Sequence, residues 1–318
     1  MREGARSRGN ASALSLLCLV AGNAYADDDF WTFDSPDDKA ASGHGQISIG
    51  YQVAHTEGLV NQDGDHFFEN FATDVRSLNL GVDYWLNDRW SVHASLPFID
   101  KRSVNDPRSH RLEVLTVPHP ESRYIDDGQY HGTWQDWSLG VEYHTAIGPV
   151  EVTPHLYITY PSHDYTFFAA AAVGQNLKKA RIGADVSQRL GRSNFHYSLG
   201  YSYEFVERVL DINTNKQHFR LSAWYDFSPQ LSARVFANGR KGKGLTNADV
   251  NRIDRARTSE LWYQHDRLLT YDYAIAGVGS TWRFSERWAV SASAASMVWT
   301  RVNYDLKYAY ELQLVRSL

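Results

Sequence analysis

The stretch Tyr84-Trp85-Leu86-Asn87-Asp88-Arg89-Trp90-Ser91-Val92 ends one alternating strand on large apolar residues, turns on three polar residues and opens a second strand on Trp90. Tyr225-Asp226-Phe227-Ser228-Pro229-Gln230-Leu231-Ser232-Ala233 and Trp282-Arg283-Phe284-Ser285-Glu286-Arg287-Trp288-Ala289-Val290 follow the same plan. Such a unit is a tight β-hairpin with one apolar face and aromatics at its base. Repeated down a chain, it predicts a meander that closes on itself with the apolar face outward.

Working outward from these hairpins, period-2 alternation recurs from about residue 45 to the C-terminus. Ile47, Ile49, Tyr51 and Val53 share one face, with Gln46, Ser48, Gly50 and Gln52 on the other. Phe195, Tyr197, Leu199, Tyr201, Tyr203 and Phe205 form the clearest run, and Tyr304, Leu306, Tyr308, Tyr310, Leu312 and Leu314 form the last. The pattern gives about twelve strands of about ten residues, the length that crosses a bilayer when tilted. Connections near 87–89, 145–149, 190–194, 228–230 and 285–287 are tight. Those near 56–74, 99–132, 161–176, 207–216 and 240–269 are long and polar, and the one near 299–302 is short. Alternating short turns and long loops is the plan of an outer-membrane barrel, with the short turns in the periplasm. The expected fold is therefore all-β: a transmembrane antiparallel up-and-down β-barrel over 44–318, in the cell outer membrane.

Composition agrees. Aromatic residues make up 14% of the chain, with 19 Tyr and 10 Trp, and mean hydropathy is −0.46. Only alternate strand residues face lipid in a barrel, so low mean hydropathy and abundant aromatics go together. Residues 1–26 read as a secretory signal peptide: Arg2, Arg6 and Arg8, then the apolar run Ala11 to Gly22, then Ala24-Tyr25-Ala26. Cys18, the single cysteine, lies within this leader, so the mature chain has no thiol for disulfides or metal ligation. Removing three Arg and one Glu with the leader leaves 29 basic and 36 acidic residues, a net charge of −7. That balance favours solubility and argues against a nucleic-acid partner. Residues 27–43 form an acidic periplasmic tail in which Phe30, Trp31 and Phe33 interrupt the aspartates, a free tail or a plug.

If the apolar parity meets lipid, the other faces the lumen. The lumen candidates are Glu142, His155, Arg181, Asp185, Glu204, Arg220, Arg234, Arg283 and Lys307. Charges at membrane depth require partners or water. They either pair across strands to fill a narrow barrel or line a wet channel and set its selectivity. The first reading makes the protein a scaffold or partner anchor. The second makes it a passive channel for small solutes, in contact with outer-membrane lipid and lipopolysaccharide. A third, an outer-membrane lipid hydrolase, needs a Ser, a His and an orienting acid or amide on the lipid-facing side. Ser91, His93, Ser95, His196 and Ser198 all fall on the lumen parity, so no enzyme and no catalytic residue is expected. No cofactor or metal is expected either: Asn61-Gln62-Asp63-Gly64-Asp65-His66 lacks calcium-loop spacing, and His110, His119, His131, His163 and His265 are scattered over loops. Arg102, Arg108, Arg111, Arg123, Arg240, Lys241 and Lys243 fall in the outer connections, within reach of lipopolysaccharide phosphates.

Trp134-Gln135-Asp136-Trp137-Ser138-Leu139-Gly140-Val141-Glu142-Tyr143, with Tyr160-Pro161-Ser162-His163-Asp164-Tyr165 and Ala172-Val173-Gly174-Gln175-Asn176-Leu177, resembles the outer-membrane transporters named for the MetA pathway of phenol degradation. The family pattern has Gly before the Asp and Thr-Gly in the turn, where this chain has Gln135 and Ser162-His163. The resemblance spans roughly 75–205 and implies a β-barrel that passes small, aromatic or hydrophobic organic molecules. It supplies no catalytic residues.

Overall fold

A computed structural model of the chain describes residues 44–105, 110, 111, 115, 118, 119, 122–253 and 259–318. The expected leader (1–26) and acidic tail (27–43) lie outside them, as does Arg108. The strands are β1 (Gly45–Val60), β2 (His66–Trp85), β3 (Trp90–Val104), β4 (His131–Trp134), β5 (Asp136–Tyr143), β6 (Thr145–Ile147), β7 (Val150–Pro161), β8 (Lys179–Arg189), β9 (Phe195–Val206), β10 (Lys216–Ser228) and β11 (Leu231–Gly242). Two helices follow, α1 (Asn247–Arg252) and α2 (Ser259–Leu268), and then β12 (Asp272–Arg283), β13 (Trp288–Arg301) and β14 (Asn303–Ser317). β4, β5 and β6 form one wall strand broken at Gln135 and His144, whose amides still reach Pro97 and Arg89. The wall therefore has twelve strands, each antiparallel to its neighbours. It closes through β1 and β14, from Gln46 opposite Ser317 to Val60 opposite Asn303.

The outer face carries the apolar parity. Ile47, Tyr51, Leu139, Leu199, Leu221, Val278 and Leu312 are all exposed. Trp90, Phe227, Trp282 and Phe284 stand at the tight-turn end, and Trp134, Tyr160, Phe205 and Trp299 at the other. These are the two aromatic girdles of a membrane barrel, so the exposure is to lipid and the protein resides in the outer membrane. No described helix is long and apolar enough to cross a membrane.

Two departures from the expected pattern have clear causes. The connection expected at 56–74 is only 61–65, because β1 and β2 continue as a hairpin beyond the apolar belt. There His55, Glu57, Asp74 and Arg76 take the outward positions, so the strand looks polar in sequence. His55 Nδ1 lies 2.7 Å from Asp74, and Arg102 donates to the same carboxylate at 2.7 Å. On β14 a register shift sets His55 opposite Tyr308 but Thr56 opposite Leu306, leaving Lys307 in a bulge. The bulge reverses parity: Tyr304 and Leu306 are buried inward, and Lys307, expected in the lumen, turns outward to pair with Asp305 at 2.7 Å.

The external half of the barrel contains a second apolar core, inside rather than outside. Wall residues Ala54, Phe71, Val75, Ile99 and Ile275 pack there with Tyr165, Ala170 and Val173 from the 162–178 connection and with Leu269 and Tyr271 from the segment after α2.

Candidate functional site

Near the periplasmic end, Trp85 is buried against His144 with ring centroids 4.1 Å apart. His144 Nε2 lies 2.9 Å from Ser91 Oγ, while its Nδ1 faces Thr153 Oγ1 at 3.4 Å. A hydrolytic triad needs a carboxylate on Nδ1. Glu142, the nearby acid, instead lies 3.6 Å from Nε2. The Ser–His pair bridges residues 53 apart in sequence and is invisible to motif reading. Arg283 donates to the Pro229 carbonyl at 2.5 Å, so it braces the neighbouring turn at the rim.

The middle of the lumen gathers most of the expected residues. Arg220 Nη2 donates to Asp185 Oδ2 at 2.6 Å, and His155 Nδ1 lies 3.1 Å from the same oxygen. The Tyr157 hydroxyl donates to Glu142. Arg181 lies over the Tyr157 ring at 5.2 Å, and Arg234 over Phe236 at the same distance. Asp185, Arg220 and Glu142 keep about a fifth of their side-chain surface accessible, at 24%, 19% and 18%. They are therefore paired but not sealed.

Glycines explain how such large side chains fit. A Cβ at Gly140 would meet the Tyr157 ring at 2.3 Å, and one at Gly277 would meet the Phe236 ring at 2.3 Å. One at Gly200 would meet Asp185 at 2.2 Å. Each of these inward side chains packs over the glycine opposite it on the neighbouring strand, in space that any larger residue there would fill.

The external half is closed differently. The 162–178 connection folds inward, and its run Phe167 to Val173 is buried. It is held by polar ties from the wall and the other loops. Lys101 donates to the Ala172 carbonyl at 3.1 Å. The amides of Ala170 and Ala171 donate to Asp126 at 3.0 and 2.8 Å. Lys216 donates to Gln175 at 3.0 Å and stands 3.6 Å from Glu204, with His218 at 3.8 Å from that acid. Tyr165 donates to Asp136 at 2.5 Å. Over this loop lies α2, whose Trp262 and Tyr263 pack on Phe167 and Phe168. α1 is fixed by Thr246, whose backbone N–H and hydroxyl hold the Asp249 carboxyl below its ordinary value. Beside the helices, Leu59, Val250, Leu269, Tyr271, Val302 and Tyr304, with the polar Asn247, His265 and Asn303, line a small open cleft.

Of the expected lumen residues, Glu142, His155, Arg181, Asp185, Glu204, Arg220 and Arg234 share the inner wall. Arg283 stands at the rim, and Lys307 lies outside. Sequence reading missed Lys101, Asp126, Asp136 and Lys216, which act only through the folded loop. Among the outer basic residues, Arg240 is buried and donates to the Tyr271 carbonyl at 3.0 and 2.6 Å, so it braces a loop rather than meeting lipid phosphate.

Girdles, belt and charged inner wall define a membrane barrel of the outer-membrane type. No family model and no curated protein matches the chain. Among solved structures it is similar to the COG4313 outer membrane channel from Pseudomonas putida F1, at 14% identity over 88% of this chain and 97% of that one, with a TM-score of 0.66. More distant are the CymD monoaromatic hydrocarbon channel (12% identity, 88% and 89% covered, TM-score 0.45) and the KdgM porin in complex with disordered oligogalacturonate (8%, 85% and 99%, 0.44). At these identities the first likeness is one of fold. The resemblance to the MetA-pathway transporters remains a resemblance.

Proposed function

We propose that the protein is a passive channel for small organic solutes whose external mouth is closed by the inward-folded 162–178 loop. The observation that carries this reading is the charged wall at mid-barrel, where Asp185, Arg220 and Glu142 keep about a fifth of their side-chain surface accessible beneath the inward-folded loop. The charge pairs set the electrostatics of the lower lumen, where Arg220 and Asp185 retain access to water.

The solute class follows from the two halves. The external half offers aromatic and aliphatic walls, both in the inner core and in the cleft beside α1 and α2. The lower half, lined by Arg181, Arg220 and Arg234 beside their acids, suits a polar or anionic substituent. A small aromatic acid fits both, in keeping with the resemblance to the MetA-pathway transporters. Among the described residues, no Ser, His and acid meet in triad geometry on the lipid-facing surface, and we assign no catalytic role.

The test is reconstitution of the folded barrel, verified by heat-modifiable mobility, in planar bilayers and in liposomes. Discrete conductance steps and faster swelling with benzoate than with a disaccharide are expected. A folded barrel that gives neither conductance nor swelling overturns the channel reading and favours the filled scaffold, which the packed external half would otherwise suggest.

A further inference from the structure

Two external loops meet at one buried knot beneath the mouth. His110, from the connection after β3, and His265 and Asp266, from α2, each bring one ring nitrogen or carboxylate oxygen within 4.8 Å of the others. All three residues are buried. His110 Nε2 lies 2.9 Å from Asp266 Oδ2, and His265 Nε2 lies 3.3 Å from Asp266 Oδ1. The two imidazole rings are nearly parallel, at 9°, with centroids 5.5 Å apart.

The other ring nitrogens are committed elsewhere. His110 Nδ1 is 2.7 Å from Asp126 Oδ2, and His265 Nδ1 is 2.5 Å from the Trp262 carbonyl oxygen. An imidazole whose Nδ1–H is held by a carboxylate or carbonyl turns its Nε2 lone pair to the other side. Metal-bound histidines have this outer arrangement, which fixes tautomer and ring orientation. Here both Nε2 atoms point at the same carboxylate.

We propose that His110, His265 and Asp266 bind a divalent metal ion of the zinc class, and that the ion clamps the external loops together. Two imidazoles and one carboxylate suit Zn²⁺ and its neighbours, whereas Ca²⁺ and Mg²⁺ prefer all-oxygen shells. Zinc bonds of about 2.0–2.2 Å place tetrahedral ligand atoms about 3.4 Å apart, so ligand atoms lying within 4.8 Å of one another need only small side-chain rotations to close on an ion, with Asp266 able to present either oxygen. The ion would also offset the buried carboxylate. Through Asp126 the clamp reaches a third loop, because that carboxylate holds both His110 and the amides of Ala170 and Ala171. A gating role for the clamp rests on the channel reading. The site itself does not.

The experiment uses the full folded barrel, stripped with chelator and titrated with Zn²⁺ and, separately, Co²⁺. One ion per chain, d–d absorption from bound Co²⁺ and slower proteolysis of the external loops are expected. His265→Ala and Asp266→Asn, each confirmed as folded by heat-modifiable mobility, lose stoichiometric binding, and His163→Ala, in another outer loop, keeps it. Asp126→Asn leaves the three ligands in place and weakens affinity roughly 10–100-fold by freeing the His110 ring. Absence of stoichiometric binding to the folded wild type, or undiminished binding to folded His265→Ala, overturns the site and leaves a proton-shared carboxylate–imidazole network. Conductance measured in parallel keeps the two readings apart: a barrel that binds metal but never conducts removes the channel and retains the clamp.

Discussion

Replacing Asp126 by alanine should open the barrel. Its carboxylate accepts from the Ala170 and Ala171 amides at 3.0 and 2.8 Å, from Ser103 Oγ at 2.7 Å, and faces His110 Nδ1 at 2.7 Å. In Asp126→Ala with the loop still folded inward, two backbone donors lose their acceptor in a buried setting. Each such loss costs about 1–3 kcal/mol. The closed state is thereby raised by about 2–6 kcal/mol, whereas the released loop regains its hydrogen bonds from water. At about 1.4 kcal/mol per factor of ten, the closed-to-open ratio falls by roughly thirtyfold to ten-thousandfold. Single-channel recording reads this directly as a rise in open probability, and hydrogen exchange at Ala170 and Ala171 reads loop release independently. Asp127→Ala, one residue along on an exposed carboxylate, should leave both unchanged. Fast exchange at Ala170 and Ala171 without any gain in conductance would refute the reasoning, because the loop would have left and the lumen stayed shut.

Four further outcomes follow from the inner wall and the loops. Gly140→Val drives a side chain into the space of the Tyr157 ring, 2.3 Å from where its Cβ must sit, and should narrow the lumen; conductance steps shrink while heat-modifiable mobility persists. Arg220→Met leaves Asp185 with His155 as its remaining neighbour, so reversal potentials in a salt gradient should move toward cation preference, and Asp185→Asn should move them the opposite way. Thr246→Ala removes the cap of α1 at a cost of about 1 kcal/mol, seen as faster proteolysis within 243–271. Asp127 is held below its ordinary value of 3.8 by the hydrogen bond from His131 and the Gln129 amide. A depressed carboxyl stabilises its turn above the ordinary value, and that contribution is lost as pH falls through the lowered one. Protection of the Gln129 amide, taken relative to its intrinsic exchange rate, should therefore fall as pH drops below about 4, and only modestly, since the carboxylate is exposed.

What the sequence disclosed and what it concealed divide along a physical line. Strands meeting lipid must alternate, so the period-2 runs gave the twelve strands, and Tyr84 to Val92 and its two counterparts marked the tight-turn end of the barrel. Where strands rise above the belt, lipid no longer imposes alternation. There the β1–β2 extension resembled a loop, and the bulge at Lys307 reversed the parity of Tyr304 and Leu306. Inward charge on the wall was legible by parity alone, which is why Glu142, Asp185 and Arg220 were found. Asp126, Asp136, Lys101 and Lys216 gain their roles only from the path of the 162–178 loop. That path has no periodic signal, because buried Ala169 to Ala172 are held by their backbone groups. His110 and His265, 155 positions apart, converge for the same reason.

On the channel reading the loop must be able to leave, and its composition bears on how. Its buried run is rich in small residues, Ala169 to Ala172; Phe167 and Phe168 pack on α2, and Tyr165 and Val173 are its larger contacts with the wall's inner core. A permanent plug would place many bulky apolar groups against the wall, where burying a Leu or Phe contributes about 1.5–3 kcal/mol apiece. Here polar ties to the wall stand beside those contacts: Lys101 to Ala172, Lys216 to Gln175 and Tyr165 to Asp136. Hydrogen bonds are worth little net when water can replace both partners, yet much when one partner is removed and the other stays buried. A closure built on them is firm while every tie is present and releases as a unit once one is lost. On this argument Lys101→Met, which strips one donor from the Ala172 carbonyl, should raise open probability in the same direction as Asp126→Ala but less, because one acceptor is stranded instead of two donors. Equal effects from the two variants would mean that the loop is held by packing, and that its polar ties are incidental.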